Sequence, residues 1–245
     1  MSSIVLPAAT LSTTRARQRW FWFGGAVFAA IVIFIGFSPT FYLKTAFATP
    51  ELSTLKLVHG TVFSTWIVLF LAQTWLVATD RRDIHRTLGA FGALLVVAMC
   101  VVGYQAALDS GRRGFTPDAA KVSALSFMAV PLFDLGVFVV LVAAALLLRR
   151  RSDWHKRLML LATLSLLPPA LARIALQFPP TPVLPIAFGG GMLVIVVAIA
   201  LDSMALRRLH PAMLWGGLFA VLSFPARIVI GGTQAWQHLA AWLIA

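Results

Sequence analysis

The chain has few acidic residues and few charges of any kind. Of its 245 residues, eight are Asp or Glu and twenty are Lys or Arg, so the formal net charge is +12 while charged residues make up only 11%. Soluble domains carry about 25% charged residues. Hydrophobic residues make up 60% of this chain, which also excludes an intrinsically disordered protein. The composition therefore excludes an ordinary soluble domain and predicts a membrane protein.

Cysteine and the sequence motifs of several enzyme classes are also scarce or absent. Cys100 is the only cysteine, so the chain cannot form an internal disulfide. No Walker phosphate loop, H-E-x-x-H motif or G-x-S-x-G motif occurs, although each is a common marker of its enzyme class. The sequence thus assigns no catalytic residue and no metal site, and it does not decide whether the protein is an enzyme.

Long apolar runs are what the sequence has in abundance, and each is about as long as a membrane-spanning helix. We therefore expect an all-α integral membrane bundle of seven helices over residues 20–231. A basic tail over residues 1–19 precedes the bundle, and residues 232–245 form a tail at the outer membrane interface. The first run is too long for a signal peptide, so we expect it to remain as a span. The seven runs cover 20–37, 57–78, 88–108, 123–147, 158–178, 184–202 and 212–231.

The basic residues alternate between the two sides of the predicted bundle. Thirteen fall on the side of the N-terminus, five fall on the other side, and Arg173 and Arg227 lie within apolar runs. Positive loops stay in the cytoplasm, so we expect a cytoplasmic N-terminus. The charges are dispersed between apolar runs and form no basic stripe, which excludes nucleic acid as a partner. The five on the far side are Lys44, Lys56, Arg112, Arg113 and Lys121.

A short motif recurs at the cytoplasmic starts of two spans. Residues 83–88 read Asp-Ile-His-Arg-Thr-Leu, and residues 153–158 read Asp-Trp-His-Lys-Arg-Leu. A looser third copy runs from Asp202 to His210. The repetition predicts three similar hairpins, formed by spans two and three, four and five, and six and seven, after one extra helix. Parallel repeats of this kind occur in membrane carriers.

The motif has two interpretations. In the first, Asp83 and Asp153 are helix N-caps, and His85 and His155 lie at the level of the lipid headgroups. In the second, the histidines hold a cofactor, because their placement resembles that in transmembrane di-haem cytochromes b of the ascorbate-dependent ferrireductase type. That resemblance implies haem b bound by His85 and His155, and it implies His59 as a ligand near the other face. Span four contains no histidine to complete that second site.

The same segments also resemble a second group of proteins. The stretches His-Arg-Thr-Leu-Gly at residues 85–89 and His-Lys-Arg-Leu-Met-Leu-Leu-Ala-Thr at residues 155–163 are similar to those of uncharacterised bacterial multi-spanning inner-membrane proteins. This resemblance implies a location in the cell inner membrane.

Polar side chains in the outer half of the membrane form the candidate ligand site. A charged side chain at the centre of a span costs about 2.5–3.5 kcal/mol, so we expect each one to have a partner or a function. Prolines at positions 131, 168, 169 and 225 precede the charged members, and broken helices at membrane depth favour a cavity. The candidate residues, drawn from five spans, are His59, Tyr104, Gln105, Asp134, Arg173, Gln177 and Arg227.

A stripe on span two and the charge balance complete the sequence-based hypothesis. His59, Trp66, Gln73 and Asp80 recur every seven residues and so share one helix face, which we expect to face the bundle interior. Asp134 can neutralise one of the two embedded arginines, which leaves the other free to bind an anion.

These features predict binding or movement of a small anionic amphiphile through an outward-facing pocket. Two other interpretations stay open beside haem. In one, both arginines extend to the outer headgroups. In the other, the protein is a structural subunit whose polar residues pair with another chain.

Overall fold

The computed structural model describes residues 8–116 and 122–245, with side chains from Arg19 onward. Every regular element in these ranges is a helix. Residues 1–7 of the predicted tail and Lys121 lie outside the described residues. The α-helices there are α1 (Ala8–Phe37), α2 (Thr54–Ala78), α3 (Arg82–Arg112), α4 (Ala124–Leu147), α5 (Ser152–Leu164), α6 (Pro168–Leu176), α7 (Gly190–Leu206), α8 (Pro211–Gly231) and α9 (Gln234–Ile244), with π-helical turns at Ser38–Tyr42 and Pro185–Gly189.

Seven segments of the described chain are long and apolar enough to cross a membrane. They correspond one to one to the seven predicted runs, so the prediction of a multi-pass helical membrane protein is confirmed to that extent. The fifth segment consists of α5 and α6 together. The segments are Arg19–Tyr42, Thr54–Ala78, Arg82–Arg112, Ala124–Leu147, Ser152–Leu176, Pro185–Leu206 and Pro211–Gly231.

Side-chain contacts bring one set of helix ends together. Arg19 in α1 forms an ion pair with Asp80, which follows α2. The rings of His85 in α3 and His155 in α5 are adjacent, and Trp154 in α5 contacts His210, which precedes α8. We call this end of the bundle, which carries residues 80–86, 149–157 and 202–210, the basic end.

The fifth span occupies the centre of the bundle. In its most apolar stretch 61% of the residues are buried, against 17–39% in the other six spans. Helix α5 packs against α1, α4, α7 and α8, and all its residues from Arg157 to Leu164 except Met159 are buried. The two halves of the span are separated at residues 165–167, directly before Pro168 and Pro169, which lack the amide hydrogen that an unbroken helix requires.

The second half of this span, α6, lies close to α1. A Cβ atom at Gly36 in α1 would be 2.5 Å from the backbone oxygen of Ala170 in α6. Only glycine permits this approach of two helix backbones, which is a common use of small residues in membrane bundles. The contact holds α6, and the side chains that α6 carries, against the end of α1.

The C-terminal tail is a helix that packs against the bundle. Trp236 of α9 is buried, and its indole Nε1 donates a 2.7 Å hydrogen bond to the backbone oxygen of Leu125 in α4. Gln237 donates a 2.7 Å hydrogen bond to Ser126 in the same helix, whereas Trp242 is exposed. Helix α9 therefore lies across the ends of α3 and α4 that are opposite the basic end.

The prediction that Asp83 and Asp153 cap their helices is wrong. The N-cap positions of α3 and α5 belong to Arg81 and Arg151, and neither side chain forms a capping hydrogen bond. Both aspartates lie within the first helical turn, where a carboxylate still interacts favourably with the helix dipole. The N-cap of α8 is His210, whose Nδ1 accepts a 3.1 Å hydrogen bond from the Ala212 amide.

Candidate functional site

Two of the predicted site residues, Asp134 in α4 and Arg227 in α8, form a buried ion pair. Asp134 is 6% exposed and Arg227 is 1% exposed, and the Arg227 Nη1 donates to the Asp134 carboxylate. Arg227 also donates from Nε to the Ser223 carbonyl at 3.1 Å and from Nη2 to the Ser223 hydroxyl at 2.8 Å. Its Cζ lies 4.7 Å from the centroid of the Phe224 ring. The protein itself therefore neutralises this guanidinium and occupies all three of its nitrogens.

Arg173 in α6 has no such partner among the described residues. Its Nη1 donates a 3.0 Å hydrogen bond to the Pro169 carbonyl one turn earlier, and its Cζ lies 4.3 Å from the centroid of the Phe37 ring in α1. The side chain is half-buried. Within the described ranges it forms no ion pair with a carboxylate, and its Nε and Nη2 make no hydrogen bond. Arg173 thus keeps a positive charge and free donors inside a membrane-spanning segment.

His59 in α2 is near Arg173. The two are linked through the end of the first span, where Phe37 lies against Arg173 and Phe41 lies against the backbone next to His59. One face of the ring stacks on Phe63, with centroids 4.2 Å apart and planes at 23°. The Nδ1 atom is buried and has no hydrogen-bond partner among the described residues. His59 therefore adds an unused polar atom beside an uncompensated cation.

Aromatic rings lie against these two side chains and against the backbone next to His59. Beside His59, a Cβ atom at Gly60 would overlap the Phe41 ring, so the ring lies directly on the backbone of α2. Phe37 covers the guanidinium of Arg173 and Phe63 covers one face of His59. We call this group the Arg173 site and define it as Phe37, Phe41, His59, Phe63 and Arg173.

The remaining predicted site residues lie elsewhere. Tyr104 and Gln105 are exposed and line a groove of about 670 Å³ on the surface between α3 and α4. Gln177 is exposed and donates a 3.2 Å hydrogen bond to the backbone oxygen of Arg173. The predicted site residues therefore fall into three groups. Asp134 pairs with Arg227, His59 lies near Arg173, and the other three residues are exposed on the surface.

The predicted stripe on α2 faces inward over most of its length. Trp66 is 2% exposed, and its indole Nε1 donates a 3.3 Å hydrogen bond to Thr163 in the central α5. Both His59 Nδ1 and Gln73 Oε1 are buried atoms without a hydrogen-bond partner among the described residues. Asp80 differs, because it is exposed at the basic end, where Arg19 pairs with it.

The structure brings His85 and His155 together at the basic end. Their ring centroids are 6.4 Å apart, and their planes meet at 83°. Nδ1 of His155 is 2.9 Å from the backbone oxygen of Ala145 in α4, and this contact does not involve its Nε2. Nδ1 of His85 is buried without a hydrogen-bond partner in the described part of the chain.

No carboxylate or thiolate of the described residues forms a metal-binding group with this pair. Within residues 8–116 and 122–245, no group of three or more His, Cys, Asp or Glu side chains could hold a metal ion. Zinc sites in proteins need three or four protein ligands. In the described part of the chain, the pair therefore lacks the ligand set of a protein zinc site.

A second buried ion pair was missed in the sequence. Arg157 in α5 is 0% exposed, and its Nε and Nη2 donate to the carboxylate of Asp202 in α7 at 2.7 and 2.8 Å. Its Nη1 donates to the Asp153 carbonyl at 2.9 Å, and its Cζ lies 5.4 Å from the Trp22 ring centroid. In the sequence the only signal was that Arg157 and Asp202 have opposite charges and lie on the same side of the membrane in two consecutive spans. Both residues are next to other charges of the predicted loops, so the sequence did not single them out.

Comparisons with protein-family models, curated proteins and solved structures found no match.

Proposed function

We propose that this chain is a multi-pass protein of the cell inner membrane that binds or moves a small anionic amphiphile through the Arg173 site. The basic end faces the cytoplasm in this proposal, because positively charged loops are retained there. Thirteen of the twenty Lys and Arg residues belong to that side of the chain. The Arg173 site then lies in the outer half of the membrane.

The observation that carries the proposal is the charge left on Arg173. Asp134 neutralises Arg227, whereas Arg173 has no carboxylate partner among the described residues. A charged side chain within a span costs about 2.5–3.5 kcal/mol at the helix centre, and a bound anion would offset part of that cost. The apolar body of an amphiphile would meet the aromatic rings of the site.

The test is direct binding to the delipidated protein, measured by native mass spectrometry. The probes are oleate, oleyl phosphate and oleyl alcohol, which share an 18-carbon chain and differ in the head. We expect saturable binding of at least one anionic probe and none of the alcohol. Arg173→Met should weaken binding of the anion at least tenfold, because a charge-assisted bidentate interaction is lost.

Lys56→Met supplies the matched control, because Lys56 is an exposed cation at the start of α2 and takes no part in the site. This variant should bind as the wild type does. Equal binding of oleate and oleyl alcohol, or unchanged binding by Arg173→Met, would overturn the proposal. Loss of oleate movement across proteoliposomes in the same variant would assign transport rather than binding alone.

A second candidate function is haem b binding by His85 and His155, and their juxtaposition favours it. The ring centroids are 6.4 Å apart, so His85 and His155 are the residues that would hold the iron of a haem. The hydrogen bond between His155 and the Ala145 carbonyl orients one imidazole, as a ligating histidine requires. When bound there, haem would supply one-electron redox chemistry.

An absorption spectrum tests this candidate. A Soret band in the purified wild-type protein that disappears in His85→Ala and in His155→Ala would establish haem at this pair. His238→Ala, which changes an exposed histidine of α9, should keep the band. A colourless protein from haem-supplemented cells would eliminate the haem candidate. If no amphiphile bound either, a structural subunit would be the interpretation that remains.

A further inference from the structure

We infer that the ligand of the Arg173 site is a single-chain carboxylate, the chemical class of a free fatty acid. This inference rests on the proposed function, because it names which anionic amphiphile the site prefers. It depends on three features of the site: the free edge of the guanidinium, the number of charges, and the rings that surround it.

The free edge of Arg173 is complementary in geometry to a carboxylate. A guanidinium carries five N–H donors in one plane, and in the described part of the chain only Nη1 of Arg173 is engaged, by the Pro169 carbonyl. Nε and Nη2 lie on one edge, and together they can donate two parallel hydrogen bonds to the two oxygens of one carboxylate. The Phe37 ring lies against the face of the guanidinium, so the edge remains open to a ligand.

The charge of the site favours a monoanion. Arg173 contributes a single positive charge, and Arg227 is already neutralised by Asp134. Of the cations on the same side, Lys44 forms a 2.8 Å ion pair with Glu51. A carboxylate carries one negative charge, whereas a phosphate monoester carries between one and a half and two charges near pH 7. The extra charge of a phosphate would remain uncompensated in a poorly solvated site.

The aromatic rings favour a ligand whose charged head group lies at the end of one unbranched chain. Phe37 and Phe41 belong to the first span and Phe63 to the second, and they lie against Arg173, Gly60 and His59 respectively. A phosphodiester lipid carries a second substituent on its head, which would also need space among these rings. A fatty acid carries none.

His59 is a positioning residue in this arrangement. Its Nδ1 is buried without a partner among the described residues, and a buried polar atom that finds no partner costs about 1–3 kcal/mol. One hydrogen bond between Nδ1 and the ligand head would remove that cost. We therefore expect His59→Phe to weaken oleate binding and to leave its preference over oleyl alcohol intact.

The experiment compares the dissociation constants of oleate, oleyl phosphate and dioleoyl phosphatidylglycerol by native mass spectrometry of the full chain. Oleate should bind at least tenfold more tightly than either phosphate lipid. Arg173→Lys keeps the charge but lacks the planar fork, so it should bind the anions with that preference reduced at least threefold. The Lys56→Met control should keep the wild-type ratio.

The outcomes separate the inference from the proposed function. If oleyl phosphate or phosphatidylglycerol bound as tightly as oleate or more tightly, the carboxylate inference would be wrong while the proposed function stood. If no anion bound, both would fail. An unchanged oleate preference in Arg173→Lys would show that the planar fork does not select the carboxylate, and it would overturn the argument from the free edge of Arg173.

Discussion

Replacing Arg157 with Met should destabilise the protein strongly, because it leaves the carboxylate of Asp202 buried without a partner. Asp202 is 1% exposed and loses two hydrogen bonds from the guanidinium, at 2.7 and 2.8 Å. Hydrogen bonds to charged groups contribute about 1.5–3 kcal/mol each, so the loss is about 3–6 kcal/mol. That range agrees with the ~3–5 kcal/mol found when one partner of a buried ion pair is removed. The measurement is the free energy of unfolding in mixed micelles, followed by circular dichroism.

A double variant and an exposed control isolate the ion pair. Arg157→Met combined with Asp202→Leu removes both charges and should recover most of the lost stability, because apolar pairs often replace buried ion pairs at little cost. Arg208→Met, at an exposed position just after α7, should change the free energy of unfolding by less than about 0.5 kcal/mol. If Arg157→Met also cost less than about 1 kcal/mol, or the double variant were no more stable than Arg157→Met, the pair would not hold α5 to α7 as described.

Three further perturbations have definite expected results. Burial and the charge of Arg157 lower the pKa of His210, so the unfolded state binds the proton more tightly than the folded state does. The melting temperature should therefore fall as the pH drops below about 6.5. His210→Asn keeps a capping oxygen and should reduce that fall. Gly36→Ala should lower stability by about 1–3 kcal/mol, because its Cβ would be 2.5 Å from the Ala170 oxygen. Asp134→Leu should cost about 3–5 kcal/mol by leaving Arg227 buried without a charge partner, and Asp134→Asn should cost less because it keeps an acceptor.

Matched substitutions check two of these results. His238 lies on the exposed side of α9, so His238→Asn should leave the pH dependence of the melting temperature as in the wild type. A Cβ atom at Gly24 would meet no neighbouring helix or side chain within 4 Å, and Gly24→Ala should be neutral or slightly stabilising, since alanine favours helix. A pH profile unchanged in His210→Asn, or a neutral Gly36→Ala, would contradict the contacts assigned to these residues.

The features that could be predicted best from the sequence are those that hydropathy and residue spacing determine. Seven apolar runs of spanning length are enough to locate the seven spans, because the bilayer requires long uninterrupted apolar helices. The inward stripe of α2 was also predictable in its main part, since the seven-residue spacing of His59, Trp66 and Gln73 places them on one face. The prediction that Asp134 neutralises one of the embedded arginines agrees with its ion pair to Arg227.

Other features depend on which helices are neighbours, and composition does not determine that. Arg157 and Asp202 looked like charges of the cytoplasmic loops, and only the packing of α5 against α7 shows them as a buried pair. Tyr104 and Gln105 have the polarity of site residues, but the rotation of α3 turns them outward. Rotation about the helix axis is set by neighbouring helices, so it could not be predicted from a single sequence.

The most direct test of the Arg173 site is covalent mapping of a bound fatty acid. A long-chain carboxylate with a diazirine near its head is photoactivated on the purified protein, and the modified peptides are identified by mass spectrometry. The label should concentrate on the ends of α1, α2 and α6 that carry Phe37, Phe63 and Arg173, excess oleate should compete it away, and Arg173→Met should abolish it. Labelling spread over the lipid-facing surfaces of all seven spans, indifferent to oleate and to Arg173→Met, would contradict an anion site at Arg173.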